Sequence, residues 1–138
     1  MRKLVVDRNL DSRIEIDSAG TIGYHAGSPS DPRMRAAGTR RGYRFDHLAR
    51  QVRREDFQRF DYILAMDQDN LESLERIWPS GPHRAELSLF LSHCPDLGVS
   101  EVPDPYYGGA EGFERVMDLV ETGCRALLDR IIERHGLQ

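Results

Sequence analysis

Tyr62-Ile63-Leu64-Ala65-Met66 is an uninterrupted apolar run closed by Asp67, and it restricts the possible folds more than any other stretch of the chain. A short, uniformly apolar run predicts a strand buried on both faces, the kind found in parallel sheets covered by helices. Asp67 then offers a capping side chain to a helix that runs to about Ile77. Similar switches of period recur along the sequence. Arg13 to Ser18 alternates and predicts a short strand, and Glu86 to Leu91 predicts a third. Helices are expected from Met1 to about Leu10, from Ser30-Asp31-Pro32 to a stop at Gly42, across Arg54 to Phe60, and from Gly112 to Arg134. Strands alternating with helices make an α/β domain with a mostly parallel sheet, whose ligands bind outside the carboxyl ends of the strands.

With 138 residues, 39% of them hydrophobic and 30% charged, the expectation is one globular domain spanning 1–138. Apolar runs stay far below the eighteen or so residues of a membrane span, and MRKLVVDRNLD lacks the apolar centre of a signal peptide. The expected compartment is therefore the cytoplasm, with no membrane partner. Net charge is −4, yet arginines 33, 35, 40, 41, 44, 50, 53 and 54 stand together against the single acid Asp46. Such a run is either a solvated helix face or a dock for a phosphorylated or acidic partner. Few aromatics interleave it, which argues against nucleic acid.

Cys94 and Cys124 are too few for a disulfide framework and lack zinc spacing. Cys124 does stand six residues before Arg130, the spacing of a thiolate nucleophile and its phosphate-gripping arginine. The surrounding apolar residues Phe113, Val116, Met117, Val120, Leu127, Leu128 and Ile131 fall with Cys124 on one helical stripe. On a helix, Arg130 lies about 120° around and about 9 Å along from Cys124. The two cannot meet at one phosphate. Mid-helix amides are also already bonded, whereas a phosphate cradle needs them free. Cys94 has Ser100 where the arginine would stand.

Pro103-Asp104-Pro105-Tyr106-Tyr107-Gly108-Gly109 is the strongest local signal. Two prolines hold an aspartate in a rigid loop that neither a helix nor a central strand can absorb. A carboxyl held in this way suits proton donation to a leaving oxygen, and adjacent tyrosines suit packing against a flat ring. Taken alone, the same residues also read as an ordinary rigid turn.

They do not stand alone. Residues 2 to 135 resemble the low-molecular-weight protein tyrosine phosphatases, with the family's pieces in order: RKLV from Arg2, IDSAGT from Ile16, SDPR from Ser30, ARQV from Ala49, EDF from Glu55, YILAMD from Tyr62 and DPYYGG from Asp104. The resemblance implies a three-layer α/β phosphatase fold around a four-stranded parallel sheet. It implies hydrolysis of protein phosphotyrosine through a cysteinyl-phosphate intermediate, without metal or organic cofactor. Asp104 would be the general acid, with Tyr24, Tyr106 and Tyr107 lining the substrate pocket. Ser18, His47, Asp67 and Asp31 would form the supporting shell. The implied partners are phosphotyrosine-bearing proteins or a tyrosine kinase.

This sequence departs from the pattern at its start. The family opens with a buried strand and a phosphate loop bearing Cys, five residues, Arg and Ser, and Met1 aligns inside the helix that follows. The helix start is uncapped, and Arg2 and Lys3 carry the wrong charge for the positive end of its dipole. The expectation is a chain truncated at its N-terminus, missing an interior strand between those matching Ile14–Ser18 and Tyr62–Met66, and inactive as written. A non-catalytic binding or regulatory protein is the alternative reading. An arsenate reductase ranks below both, since Cys94 and Cys124 make no convincing redox pair.

Overall fold

Capping side chains mark where two of the described helices begin. The structure, a computed structural model, describes residues 1–22, 27, 31–45, 48–78, 82–105 and 109–137. Among these the elements run in order as α1 (Arg2–Asp7), α2 (Pro32–Arg40), α3 (Asp56–Arg59), β1 (Tyr62–Ala65), α4 (Gln68–Ile77), β2 (Glu86–Leu89) and α5 (Gly109–His135). Asp31 accepts from the Arg33 amide at 2.8 Å to start α2, with Pro32 in its first turn. Asp67 accepts from the Asn70 amide at 2.7 Å to start α4. By contrast, α1 has no capping side chain and no acid in its first turn. It ends earlier than the expected Leu10, because Asn9 turns into left-handed backbone at φ 58°. Gly42, at φ 85°, stops the chain beyond α2 as expected.

The fold divides into two compact units. The first comprises Met1–Asp17, Ser30–Asp46 and Asp104–Gln138. In it Val5, Leu10 and Leu128 form one buried cluster, and Ala37, Phe113 and Met117 join α2 to α5 in another. Gly38 permits the close approach of Phe45, since a Cβ there would stand 2.8 Å from the ring. Arg41 reaches from the end of α2 to α5, donating to Glu114 Oε2 at 2.6 Å and to Glu121, while Arg40 donates to Glu114 Oε1 at 2.8 Å. Arg41 holds the Glu121 carboxyl below its ordinary pKa, against the opposing effect of burial. Helix α5 is longer than expected at both ends, and Cys124 lies on its buried stripe, 6% exposed.

The second unit comprises Ser18–Pro29 and His47–Pro103. Strands β1 and β2 pair in parallel, in register from Tyr62 opposite Glu86 to Ala65 opposite Leu89. Phe57, Ala65, Leu74 and Ala85 form the core beneath them, and Trp78 meets Phe57 edge-on with ring centroids 5.1 Å apart. The run YILAM is less buried than its composition predicts. Only Ala65 is fully buried, the other three strand residues are half-buried, and Met66 lies beyond the strand. Strand β2 stops at Leu89 because the next four residues, Phe90–His93, turn into a 3₁₀-helix.

The expected strand at Arg13–Ser18 does not form among the described residues. Its side chains keep the anticipated alternation: Ile14 and Ile16 are half-buried against the Val5 cluster, while Arg13, Glu15 and Asp17 are exposed. Ladder pairing begins only at Gly20, bridged in parallel to Gln51. Alternation reports which side faces a core; a strand also needs a neighbouring backbone. No described helix is long and apolar enough to cross a membrane.

Candidate active site

Parallel strands present their carboxyl ends to ligands, and the chain leaving β1 is tied down there in two ways. The Val102 amide donates to the Met66 carbonyl at 2.8 Å. The Gln68 amide, in the first turn of α4, donates to Glu101 Oε2 at 2.7 Å. Asp67 caps the same turn from the other side. The stretch 101–103 is thus fastened to the end of β1 and the start of α4 within the second unit.

Asp104 follows directly and is exposed. It opens the Asp104–Gln138 segment of the first unit, where Pro105 packs on the first turns of α5. A Cβ added at Gly112 would stand 3.4 Å from the Pro105 carbonyl oxygen, an ordinary van der Waals contact, so the loop lies directly against this turn of α5. In the same unit Asp31 caps α2 and also pairs with the Arg33 guanidinium at 3.1 Å. Those bonds from Arg33, side chain first and amide second, hold the Asp31 carboxyl below its ordinary pKa. Arg33 in turn lies over the Phe113 ring of α5, 4.7 Å from its centroid.

A second anchored stretch lies beside Ser18, which is exposed in the second unit. Gly20 donates its amide to the Arg50 carbonyl and accepts from the Val52 amide, both at 2.8 Å. Asp56 secures that loop. It is 4% exposed, receives both Nη groups of Arg50 at 3.0 and 3.2 Å, and accepts from the Arg53 amide at 2.8 Å. Burial pushes the Asp56 carboxyl up, but the Arg50 guanidinium and the Arg53 amide outweigh it and hold the pKa below the ordinary value.

Of the residues singled out from sequence, Asp104, Ser18, Asp67 and Asp31 are described, and Tyr24, His47, Tyr106 and Tyr107 lie outside the described residues. Ser18 and Asp67 belong to the second unit, Asp31 and Asp104 to the first. Sequence reasoning missed Glu101 and Asp56. The spacing of Asp56 three residues after Arg53 is a local signal that could have revealed it, whereas Glu101 bonds an amide 33 residues away and leaves none.

The family model for the low molecular weight phosphotyrosine protein phosphatases matches residues 1–136. The chain belongs to that family. A putative low molecular weight protein-tyrosine-phosphatase of Synechocystis is 43% identical over 128 residues, 93% of this chain and 82% of its own length. The human low molecular weight phosphotyrosine protein phosphatase is 40% identical over 130 residues, 94% of this chain and 82% of its own. The crystal structure of the protein tyrosine phosphatase from Entamoeba histolytica superposes with a TM-score of 0.88 at 39% identity, covering 99% of this chain and 86% of that one. The low molecular weight phosphatase fold thus holds for this chain, with its parallel strand pair and flanking helices.

Within that family assignment, the Cys-five-Arg match in α5 sits badly for phosphate chemistry. Cys124 is buried in the middle of a 27-residue helix and Arg130 is exposed. The amides around them belong to the helix ladder.

Proposed function

We propose that this chain is the acid-bearing part of a low molecular weight tyrosine phosphatase that hydrolyses protein phosphotyrosine, with Asp104 as general acid. The observation that carries the reading is the exposed Asp104, locked between Pro103 and Pro105 at the head of DPYYGG, in a chain of this family. A thiolate attacks phosphorus and the bond from phosphorus to the tyrosyl oxygen breaks, while Asp104 gives that oxygen its proton. The Asp104 carboxylate then takes a proton from water as the water attacks phosphorus and the sulfur–phosphorus bond breaks, releasing phosphate and thiolate. Tyr24, Tyr106 and Tyr107 would flank the substrate ring, and Ser18, His47, Asp67 and Asp31 would support the loops around it. The reading requires no metal or organic cofactor. Its partners are phosphotyrosine-bearing proteins or a tyrosine kinase, and its compartment is the cytoplasm.

Neither cysteine of the chain supplies that thiolate on this reading. Cys124 is a core residue of α5, and Cys94 has no arginine at the required spacing. The nucleophile, the phosphate-gripping arginine and the interior strand therefore come from a segment outside these 138 residues. Together with that segment, residues 1–138 form a single domain; alone they are inactive.

The test is turnover of a phosphotyrosine peptide by a form extended upstream through the Cys-five-Arg-Ser loop. Turnover is expected, and Asp104→Asn should reduce it by roughly 10²–10⁴-fold. An extended form that hydrolyses the peptide equally well with asparagine at 104 would refute the assignment.

A further inference from the structure

We propose that Glu101 is a positioning residue for the general acid, its bond to the Gln68 amide fixing the start of the short prolyl stretch that leads to Asp104. The inference rests on the reading of Asp104 given above. Helix α4 already has a cap, since Asp67 takes the Asn70 amide. The Gln68 amide in the same first turn is one of the donors that a helix leaves unsatisfied, and water could serve it. It is served instead by a carboxylate 33 residues distant, at 2.7 Å. That bond is charge-assisted and sits at the positive end of the α4 dipole. What it adds beyond a cap is a tether on the loop, and the Val102 amide makes a second tether to the Met66 carbonyl.

The chain from this tether to the acid is unusually stiff. The rings of Pro103 and Pro105 fix their own φ angles, and Val102 and Asp104 each precede a proline, which confines them to extended backbone. Two residues of such chain span about 7 Å at most. A shift at Glu101 and Val102 therefore carries to Asp104 instead of being absorbed between them. Proton donation needs heavy atoms within about 3 Å, and a misplacement of about 1 Å can cost on the order of 10²-fold in rate. The carboxylate that holds the tether thus sets how well the proton is delivered without touching the substrate.

The experiment uses the extended, phosphate-loop-bearing form and compares kcat/KM for phenyl phosphate and para-nitrophenyl phosphate. Nitrophenolate leaves readily unprotonated, and phenolate does not, so the ratio of the two substrates reads proton donation. Because both are measured on one sample, the ratio is independent of the folded fraction. Asp104→Asn should depress the phenyl substrate far more than the nitrophenyl one. Glu101→Ala should do the same to a lesser degree, about tenfold in the ratio, and Glu101→Gln, which keeps an acceptor oxygen, should return it towards the parent value. A ratio unchanged in Glu101→Ala while Asp104→Asn shifts it would overturn the inference and leave the function standing. A ratio unmoved by Asp104→Asn would overturn the reading of Asp104 and the inference with it.

Discussion

The Asp67 carboxylate accepts a hydrogen bond from the Asn70 amide at 2.7 Å, and this contact closes the first turn of α4 directly behind the β1 strand. Asp67 is thus a capping residue of α4. Asp67→Ala should cost about 1 kcal/mol, and Asp67→Asn or Asp67→Ser, which can still cap, should cost only a few tenths. Urea unfolding of the three variants checks this. Equal losses for alanine and asparagine would mean that something other than the cap is at stake.

Asp56 and Arg50 form the most buried ion pair described, with Asp56 also holding the Arg53 amide. Removing the carboxylate in Asp56→Ala takes the acceptor from the Arg53 amide and the carboxylate partner from Arg50, which keeps its bond to the Gln51 carbonyl, and should destabilise the protein by about 1–3 kcal/mol. The same group makes stability depend on acid. Its folded pKa is depressed, so the stabilisation is fully present above the ordinary unfolded value near 3.9 and is lost as pH falls through the lower folded value. Unfolding measured below about pH 4 should therefore show a shallower loss with acid in Asp56→Asn than in the parent chain.

Arg41 binds α2 to α5 through Glu114 and Glu121, and a lysine cannot reproduce that fork. Arg41→Ala should cost about 1 kcal/mol, and Arg41→Lys should recover only part of it. Full recovery by lysine in a denaturant titration would show that charge alone joins the helices.

Cys124 offers a sharper contrast, because its match to a nucleophile motif and its place in the helix predict opposite results. Cys124→Ser buries a hydroxyl on an apolar stripe and should cost roughly 1–2 kcal/mol of stability. Turnover by the extended form, per folded molecule, should stay unchanged. Loss of turnover with the fold intact would make Cys124→Ser evidence for an active site in α5.

Features that are local in sequence were legible, and features that depend on distant partners were not. The caps at Asp31 and Asp67 and the turn at Gly42 announce themselves because capping and left-handed turns are set within a few residues. The burial of Cys124 follows from helical spacing for the same reason. The apolar run YILAM gave its strand but overstated its burial, since composition cannot count the layers above it. Ile14 and Ile16 showed the right alternation without a strand, because pairing depends on which backbone lies alongside. Glu101 was invisible for that reason too: an acid two residues before a prolyl-aspartate has no local signature of the amide it will meet. Of the candidate site, Asp104 stood out because prolines on both sides mark it in the sequence itself.

The most direct measurement is hydrolysis of para-nitrophenyl phosphate by the 138-residue chain beside a form extended upstream through the Cys-five-Arg-Ser loop. The account predicts no turnover from the short chain and robust turnover from the long one. Turnover by the short chain that disappears in Cys124→Ser would contradict it, and would place the nucleophile in α5 after all.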